Sequence, residues 1–191
     1  NPEVARLALE ATAYYLKANL PMIALSLVRN AIEAFPSHGE LYLFRSDIYL
    51  HLGWLELSLA DADTASRFNP DSATVLVKKA KVLYNMGSYG TAIRCLKLAM
   101  EFRKDFHPYY ELLAMWQYEV RSYTDAARTA ARAYALNPTK AQTLYLMAIT
   151  QDAVHSPKAL VNMYLEAAQQ AGSKEALSYV KRAREARYNK S

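Results

Sequence analysis

The sequence offers few residues whose type and spacing could carry out chemistry. Its four histidines are His38, His51, His107 and His155, and they form no His-x-x-x-His or Glu-x-x-His pair that would hold a metal. There is no glycine-rich phosphate loop and no Gly-x-Ser-x-Gly nucleophile elbow. The one cysteine, Cys95, lies in an apolar helical pattern, where a small buried apolar side chain is the expected role. We therefore expect no catalytic site, no metal and no cofactor.

The composition indicates a helical globular chain. It has 191 residues, of which 52% are apolar and only 12 are Gly or Pro, which disfavours both disorder and a turn-rich β sandwich. A single cysteine excludes an intramolecular disulfide and favours a reducing, cytoplasmic compartment. No apolar run approaches the roughly 18 residues of a membrane span, so we expect no transmembrane segment. Since the first residue is Asn1 rather than Met, we expect a fragment or a processed chain.

The net charge of +5 is unevenly distributed along the chain. Residues 1–72 carry −4, residues 73–106 carry +5, and residues 174–191 carry +4. The basic stretch at residues 73–106 contains Lys78, Lys79 and Lys81, which could form either a solvated helix face or a binding surface. The basic tail consists of Lys181, Arg182, Arg184 and Arg187, and it could be either a solvated end cap or a docking surface.

The sequence contains a 34-residue repeat. Pro36 and Pro70 are 34 residues apart, and Pro70 and Pro138 are twice that distance apart. A 34-residue frame divides the chain without insertion into blocks at 5–38, 39–72, 73–106, 107–140 and 141–174. We number positions 1 to 34 within each block.

Each block reads as two helices that cross closely. In the second block, apolar residues recur at helical spacing to Leu52, Gly53 interrupts, and a second stretch runs from Leu55 to Phe68. Positions 8, 20 and 27 hold small residues, as two closely crossing helices require. Position 8 holds Thr12, Ser46, Ala80, Ala114 and Ala148; position 20 holds Ala24, Ser58, Ala92, Ala126 and Leu160; and position 27 holds Ala31, Ala65, Ala99, Ala133 and Ala167. Leu160 is an exception, because the small residue of the fifth block, Ala159, comes one place early.

These features resemble the tetratricopeptide repeat (TPR). The period, the small columns, the mid-block turn and the closing Asn-Pro match over residues 5–174, with Asn19, Arg121 and His155 in place of the turn glycine. The resemblance implies an all-α, right-handed superhelical solenoid of antiparallel helix pairs, forming a single domain over residues 1–191. A further helix, Glu175 to Tyr188, would be the polar cap that such a solenoid needs.

The resemblance also implies a concave surface made by positions 2, 5, 6, 9, 12 and 13 of each block. In the first two blocks these are Arg6, Leu9, Glu10, Ala13, Leu16, Lys17, Glu40, Leu43, Phe44, Asp47, Leu50 and His51. The residues that we expect to contact a partner are Phe44, Asp47, His51, Lys78, Lys81, Tyr84, Asn85, Glu111, Met115, Tyr118 and Tyr145. Any one of these apolar residues could instead belong to the core.

The predicted function is that of a non-catalytic scaffold or adaptor within a multiprotein assembly, with a peptide or a partner helix in its groove. Self-association through an end repeat is a further possibility. Position 5 is mostly apolar, which argues against the chaperone clamp of this family and against base-by-base RNA reading. The alternative is an electrostatic binder of nucleic acid or a membrane surface that uses the third block and the tail. Binding by that route would weaken steeply with ionic strength.

Overall fold

The computed structural model describes the backbone of residues 2–188 and the side chains of residues 3–182, and this part of the chain contains helices and no strand. The helices are α1 (Pro2–Lys17), α2 (Pro21–Ala34), α3 (Gly39–His51), α4 (Leu55–Phe68), α5 (Ala73–Asn85), α6 (Tyr89–Phe102), α7 (His107–Glu119), α8 (Tyr123–Leu136), α9 (Ala141–Ala153), α10 (Lys158–Gln170) and α11 (Lys174–Tyr188). The all-α prediction is confirmed. Each block contributes one helix pair, and α11 begins one residue before the predicted closing helix.

The chain separates into two compact units, residues 1–104 and 105–191. The first contains α1 to α6 and the second contains α7 to α11. The division lies two residues before the predicted boundary between the third and fourth blocks. A single domain over residues 1–191 stays a prediction, and each unit is described by itself below.

The turn inside each block has the same backbone geometry whether or not it contains glycine. Position 15 has a positive φ in all five blocks, from 57° at Asn19 to 79° at Gly87. At Gly53 the next amide, of Trp54, donates to the carbonyl of Tyr49 at 2.8 Å, which is the Schellman arrangement that ends a helix. Arg121 and His155 adopt this left-handed conformation at 63° and 58°. The repeat geometry therefore overrides the preference of these side chains.

The small-residue columns lie where the two helices of each pair cross. Ala24, Ala92 and Ala126, at position 20, are completely buried. In the second block, the serines replace alanine without separating the helices. Ser46 Oγ donates to the Ser58 carbonyl and Ser58 Oγ donates to the Ser46 carbonyl, both at 2.7 Å. Each hydroxyl is thus satisfied inside the core.

The fifth block departs from the predicted register. Pro157 is the N-cap of α10 rather than its first residue, so the second helix begins one residue later than in the other blocks. The buried crossing positions move one place toward the C-terminus, to Val161 and Ala168. Ala159, the small residue that comes one place early in this block, is exposed.

Helix α9 contains an unbroken apolar run, Leu144 to Ile149, which is buried on two sides. Leu144 and Ala148 pack with α10 and α11, while Leu146 and Ile149 pack with α7 and α8. Cys95, expected to be a small buried apolar side chain, is only half-buried.

The serine pair allows a test of the crossing. We expect the double change Ser46→Ala with Ser58→Ala to alter the free energy of unfolding by less than about 1 kcal/mol, because both buried hydroxyls are removed together and the third and fourth blocks hold alanine at both positions. Ser58→Ala alone should cost more, since it removes the hydrogen bonds of the Ser58 hydroxyl and leaves the Ser46 hydroxyl buried beside a methyl group. Urea unfolding followed by circular dichroism measures both. A double mutant less stable than the single one would contradict this account.

The strained turn allows a second test. Arg121→Gly should raise the free energy of unfolding by about 0.5–1 kcal/mol, because glycine adopts positive φ without steric cost. Arg121→Ala is the matched control and should give no gain, since alanine meets the same strain. An equal gain for both variants, measured by urea unfolding, would assign the effect to the lost side chain instead.

Candidate functional site

In the first unit, one open pocket collects predicted concave positions of the first two blocks. Its volume is about 420 Å³, and its lining residues are Arg6, Leu9, Glu10, Ala13, His38, Glu40 and Phe44. Helix α1 contributes four of them from one face, since they recur at spacings of three and four residues. Leu9 is buried and forms the apolar floor with Ala13 and Phe44, while the charged side chains form the rim. The pocket therefore combines an apolar base with a polar mouth.

The rim carries more negative than positive charge. Arg6 Nη1 lies 2.6 Å from Glu10 Oε1, and its Nη2 lies 3.7 Å from Glu3 Oε1. Two carboxylates thus share one guanidinium. Glu40 lies across the pocket on α3, 3.9 Å from His38 Nε2. The carboxylates of Glu10 and Glu40 outnumber the guanidinium of Arg6 around the mouth, so the mouth attracts a cation.

Beyond the pocket, the predicted binding residues Asp47 and Lys78 form an ion pair between α3 and α5. Lys78 Nζ also lies 5.6 Å from the centre of the Phe44 ring. Its neighbour Lys79 pairs with Asp63 at 2.6 Å. The acidic second block therefore neutralises two of the three lysines in the predicted basic stretch.

Four further predicted residues of this unit lie at the C-terminal ends of the first helices. His51, Lys81 and Asn85 are exposed. Asn85 Nδ2 donates to the Lys81 carbonyl at 2.8 Å, and the Tyr84 ring lies 4.8 Å from that of Tyr89. These side chains sit at the surface and do not line the pocket.

In the second unit, Glu111 is buried within a polar cluster instead of facing solvent. Its carboxylate accepts a hydrogen bond from Thr143 Oγ1 at 2.7 Å and one from Lys140 Nζ at 2.5 Å. His107 Nε2 lies 2.8 Å from Thr143 Oγ1. The cluster joins α7 to α9, and it gives Glu111 a polar structural role at a position where the first three blocks bury Leu9, Leu43 and Val77.

A Thr, a His and a Glu in contact suggest a nucleophile with its base, but the hydrogen-bond directions exclude this. Because the Thr143 hydroxyl proton goes to Glu111, Thr143 must accept from His107, whose Nε2 therefore carries a proton. A protonated Nε2 cannot act as a base toward Thr143. Thr143 is also completely buried, so no substrate reaches it.

The predicted residues Met115, Tyr118 and Tyr145 are half-buried and pack around one cluster of the second unit. Tyr145 meets the closing helix, since its ring lies 6.4 Å from that of Tyr179. Tyr179 also donates a hydrogen bond to Asp152, at position 12 of the same block. Burial raises the pKa of Tyr118, Tyr145 and Tyr179, so these phenols stay neutral. Helix α11 therefore already covers part of the predicted concave surface.

Of the predicted basic tail, Lys181 and Arg182 are exposed on α11. The side chains of Arg184 and Arg187 lie outside the described residues.

Of the seven residues that line the pocket, only Phe44 is among those expected to contact a partner. Five others occupy predicted concave positions but are absent from that set: Arg6, Leu9, Glu10, Ala13 and Glu40. His38 lies outside the predicted concave positions, and its place at position 34, directly before the first turn of α3, is the signal that could have identified it.

Within residues 3–182, no group of three or more His, Cys, Asp or Glu side chains is arranged to hold a metal ion. Among residues 2–188, no helix has both the length and the apolar character needed to cross a membrane.

The role of Glu111 can be tested by stability. Glu111→Ala should lower the free energy of unfolding by about 2–3 kcal/mol, because it leaves the Thr143 hydroxyl without its buried acceptor. Glu166→Ala, an exposed glutamate on α10, is the control and should change it by less than about 0.5 kcal/mol. Thermal and urea unfolding measure both. An unchanged stability for Glu111→Ala would show that this carboxylate is not structural.

Comparison with known proteins places the fold. No family model matches the sequence. Protein SGT1 homolog of Oryza sativa subsp. japonica is 31% identical over 80 residues, which is 42% of this chain and only 22% of that protein's length.

Solved structures match over most of the chain at low identity. PilF of Pseudomonas aeruginosa has a TM-score of 0.82 at 17% identity, covering 91% of this chain and 78% of that one. YrrB, described as a TPR protein with an unusual peptide-binding site, has a TM-score of 0.70 at 16% identity; the match covers 95% of this chain and 94% of YrrB. TTC0263, a TPR protein of Thermus thermophilus, has a TM-score of 0.72 at 15% identity; the match covers 94% of this chain and 97% of TTC0263. Together with the five helix pairs and the closing helix over residues 2–188, these matches show that the chain has the fold of the tetratricopeptide-repeat proteins.

Proposed function

We propose that the protein is a non-catalytic interaction module that holds a peptide or helix of a partner protein on its concave surface, as one part of a multiprotein assembly. The observation that carries this proposal is the pocket of the first unit, which the concave positions of two consecutive helix pairs line together. YrrB, which shares the fold, is described as having a peptide-binding site. This likeness supports the proposal without identifying the partner.

The pocket's chemistry suggests what the partner presents. A volume of about 420 Å³ falls within the roughly 300–1,000 Å³ of typical ligand pockets and accommodates a large side chain. The apolar floor of Leu9, Ala13 and Phe44 favours an aliphatic or aromatic anchor. The carboxylates of Glu10 and Glu40 favour a neighbouring Lys or Arg. The proposed ligand is therefore an apolar residue next to a basic one.

The electrostatic alternative is less well supported. Lys78 and Lys79 already form ion pairs with Asp47 and Asp63, which reduces their attraction for phosphate. Two basic residues of the tail, Lys181 and Arg182, are exposed and stay open to a phosphate-bearing surface. The salt dependence of binding distinguishes this alternative from peptide binding, since contact with many phosphates gives a steep loss of affinity with rising ionic strength.

No catalytic step is proposed. The one grouping with the residue types of a nucleophile and base, His107 with Thr143 and Glu111, is buried and has the wrong proton arrangement.

The proposal predicts a charge-reversal effect at the pocket. Peptides selected from a displayed random library on the unchanged chain should be enriched in Lys or Arg beside an apolar residue. Glu40→Lys should weaken their binding about tenfold or more, measured by calorimetry, because it turns an attraction at the rim into a repulsion.

Glu56→Lys is the matched control. Glu56 is also exposed and also lies in the first turn of its helix, α4, so both changes carry the same cost against the helix dipole. The control should leave affinity within about twofold. Equal losses for the two variants, or selected peptides without basic residues, would overturn the assignment of this pocket.

A cellular version of the experiment tests the assembly. Affinity purification with mass spectrometry from the native source should recover protein partners with the unchanged chain and with Glu56→Lys. With Glu40→Lys, the partners that bind through the pocket should be lost. An identical partner set for all three would contradict a role for the pocket.

A further inference from the structure

The outer face of α1 has the composition of an interface between repeats but has no neighbour in the described chain. Positions 3 and 10 of a block face the preceding helix pair. In the second block they are Leu41 and Ile48, which are completely buried in a cluster with Val28 of α2. In the third block they are Val75 and Val82, at most 4% exposed. These two columns are therefore contact positions.

In the first block the same two positions stay open. Leu7 is 53% exposed and Tyr14 is 69% exposed, and Val4 on the same face is 50% exposed. Columns that are buried in the second and third blocks are therefore open to solvent in the first.

The spacing on this face suits another helix. Val4, Leu7, Ala11, Tyr14 and Ala18 follow one another at intervals of three and four residues, which is the seam of a helix pair with seven-residue periodicity. Ala11 stands at the middle of the seam and permits close approach.

The charges beside the seam select the partner and its direction. Glu3, Glu10 and Lys17 are seven residues apart and run along one edge of the seam. In an antiparallel pair of identical helices, this edge of one copy faces the same edge of the other copy, which runs in the opposite direction. Lys17 of each copy therefore lies near Glu3 of the other. The central Glu10 residues would face each other, and each is compensated by its own Arg6 at 2.6 Å.

A parallel pair lacks this complementarity. There the charged edge would face the opposite edge of the partner's seam, which holds Ala8 and Tyr15 and no charge. An antiparallel pair of identical helices is related by a two-fold axis, the commonest symmetry of homodimers. We propose that the outer face of α1 is a homodimer interface, in which two copies pack α1 against α1 antiparallel through Leu7, Ala11 and Tyr14.

The oligomeric state of the 191-residue chain tests this. Sedimentation equilibrium and light scattering after size exclusion should give a mass near twice 21.6 kDa. Leu7→Glu with Tyr14→Glu should weaken the dimer at least tenfold and give a monomer, because two charges enter the apolar seam. Both side chains are exposed, so circular dichroism should show unchanged helicity. A monomer for the unchanged chain would overturn the proposal and leave the face to another occupant.

Leu57→Glu with Leu98→Glu is the matched control. Both leucines are 51% exposed and lie on α4 and α6 of the same unit, away from α1. This variant should remain dimeric. If it dissociates as readily as the α1 variant, or if the α1 variant stays dimeric, the assignment of this face is wrong.

A charge swap tests the antiparallel direction. Lys17→Glu should weaken the dimer severalfold, and the double change Glu3→Lys with Lys17→Glu should restore it. Failure of the double change to restore the dimer would overturn the antiparallel pairing. Peptide binding in the pocket is measured separately, so the two proposals fail independently.

Discussion

The close crossing of the two helices in each pair is the constraint on which the rest of the structure depends. Ala24, Ala92 and Ala126 are completely buried because a larger side chain at position 20 would force the helices apart. With the crossing set in the first two helix pairs, predicted concave positions of α1 and α3 lie side by side and line one pocket.

Within residues 3–182, every buried side-chain nitrogen or oxygen has a hydrogen-bond partner. The serines of the second block satisfy each other across the crossing, and Arg45 forms a bidentate pair with the buried Asp61 at 2.6 and 2.7 Å. This hydrogen bond raises the pKa of Arg45, and the rings of Tyr42 and Tyr49 lie within 6 Å of its guanidinium. The cluster around Glu111 follows the same rule. Repeat columns thus tolerate polar substitutions in matched sets, because a lone buried polar group is costly.

Helices α1 and α11 expose different kinds of surface. Helix α11 exposes Lys174, Glu175 and Lys181 beside Leu177, and it turns Tyr179 inward, onto Tyr145 and Asp152. It both caps the last repeat and occupies part of its concave surface. Helix α1 presents an apolar seam of the kind that other helices bury. The difference directs partner binding to the first unit and self-association to α1 in our proposals.

Local patterns in the sequence determined the helices, the turns and their 34-residue period, because helical periodicity, proline and small-residue columns act within a few residues of one another. They also predicted which positions form the concave surface of the first two blocks. Only the tertiary structure decided which of those side chains already have partners. Lys78 is paired with Asp47, 31 residues away, and Glu111 is buried against Thr143, 32 residues away. The tertiary structure also decided the register of α10. This helix starts one residue later than the period predicts, so its buried positions are Val161 and Ala168. Such pairings depend on distances between side chains of different helices, and a period in the sequence does not specify those distances.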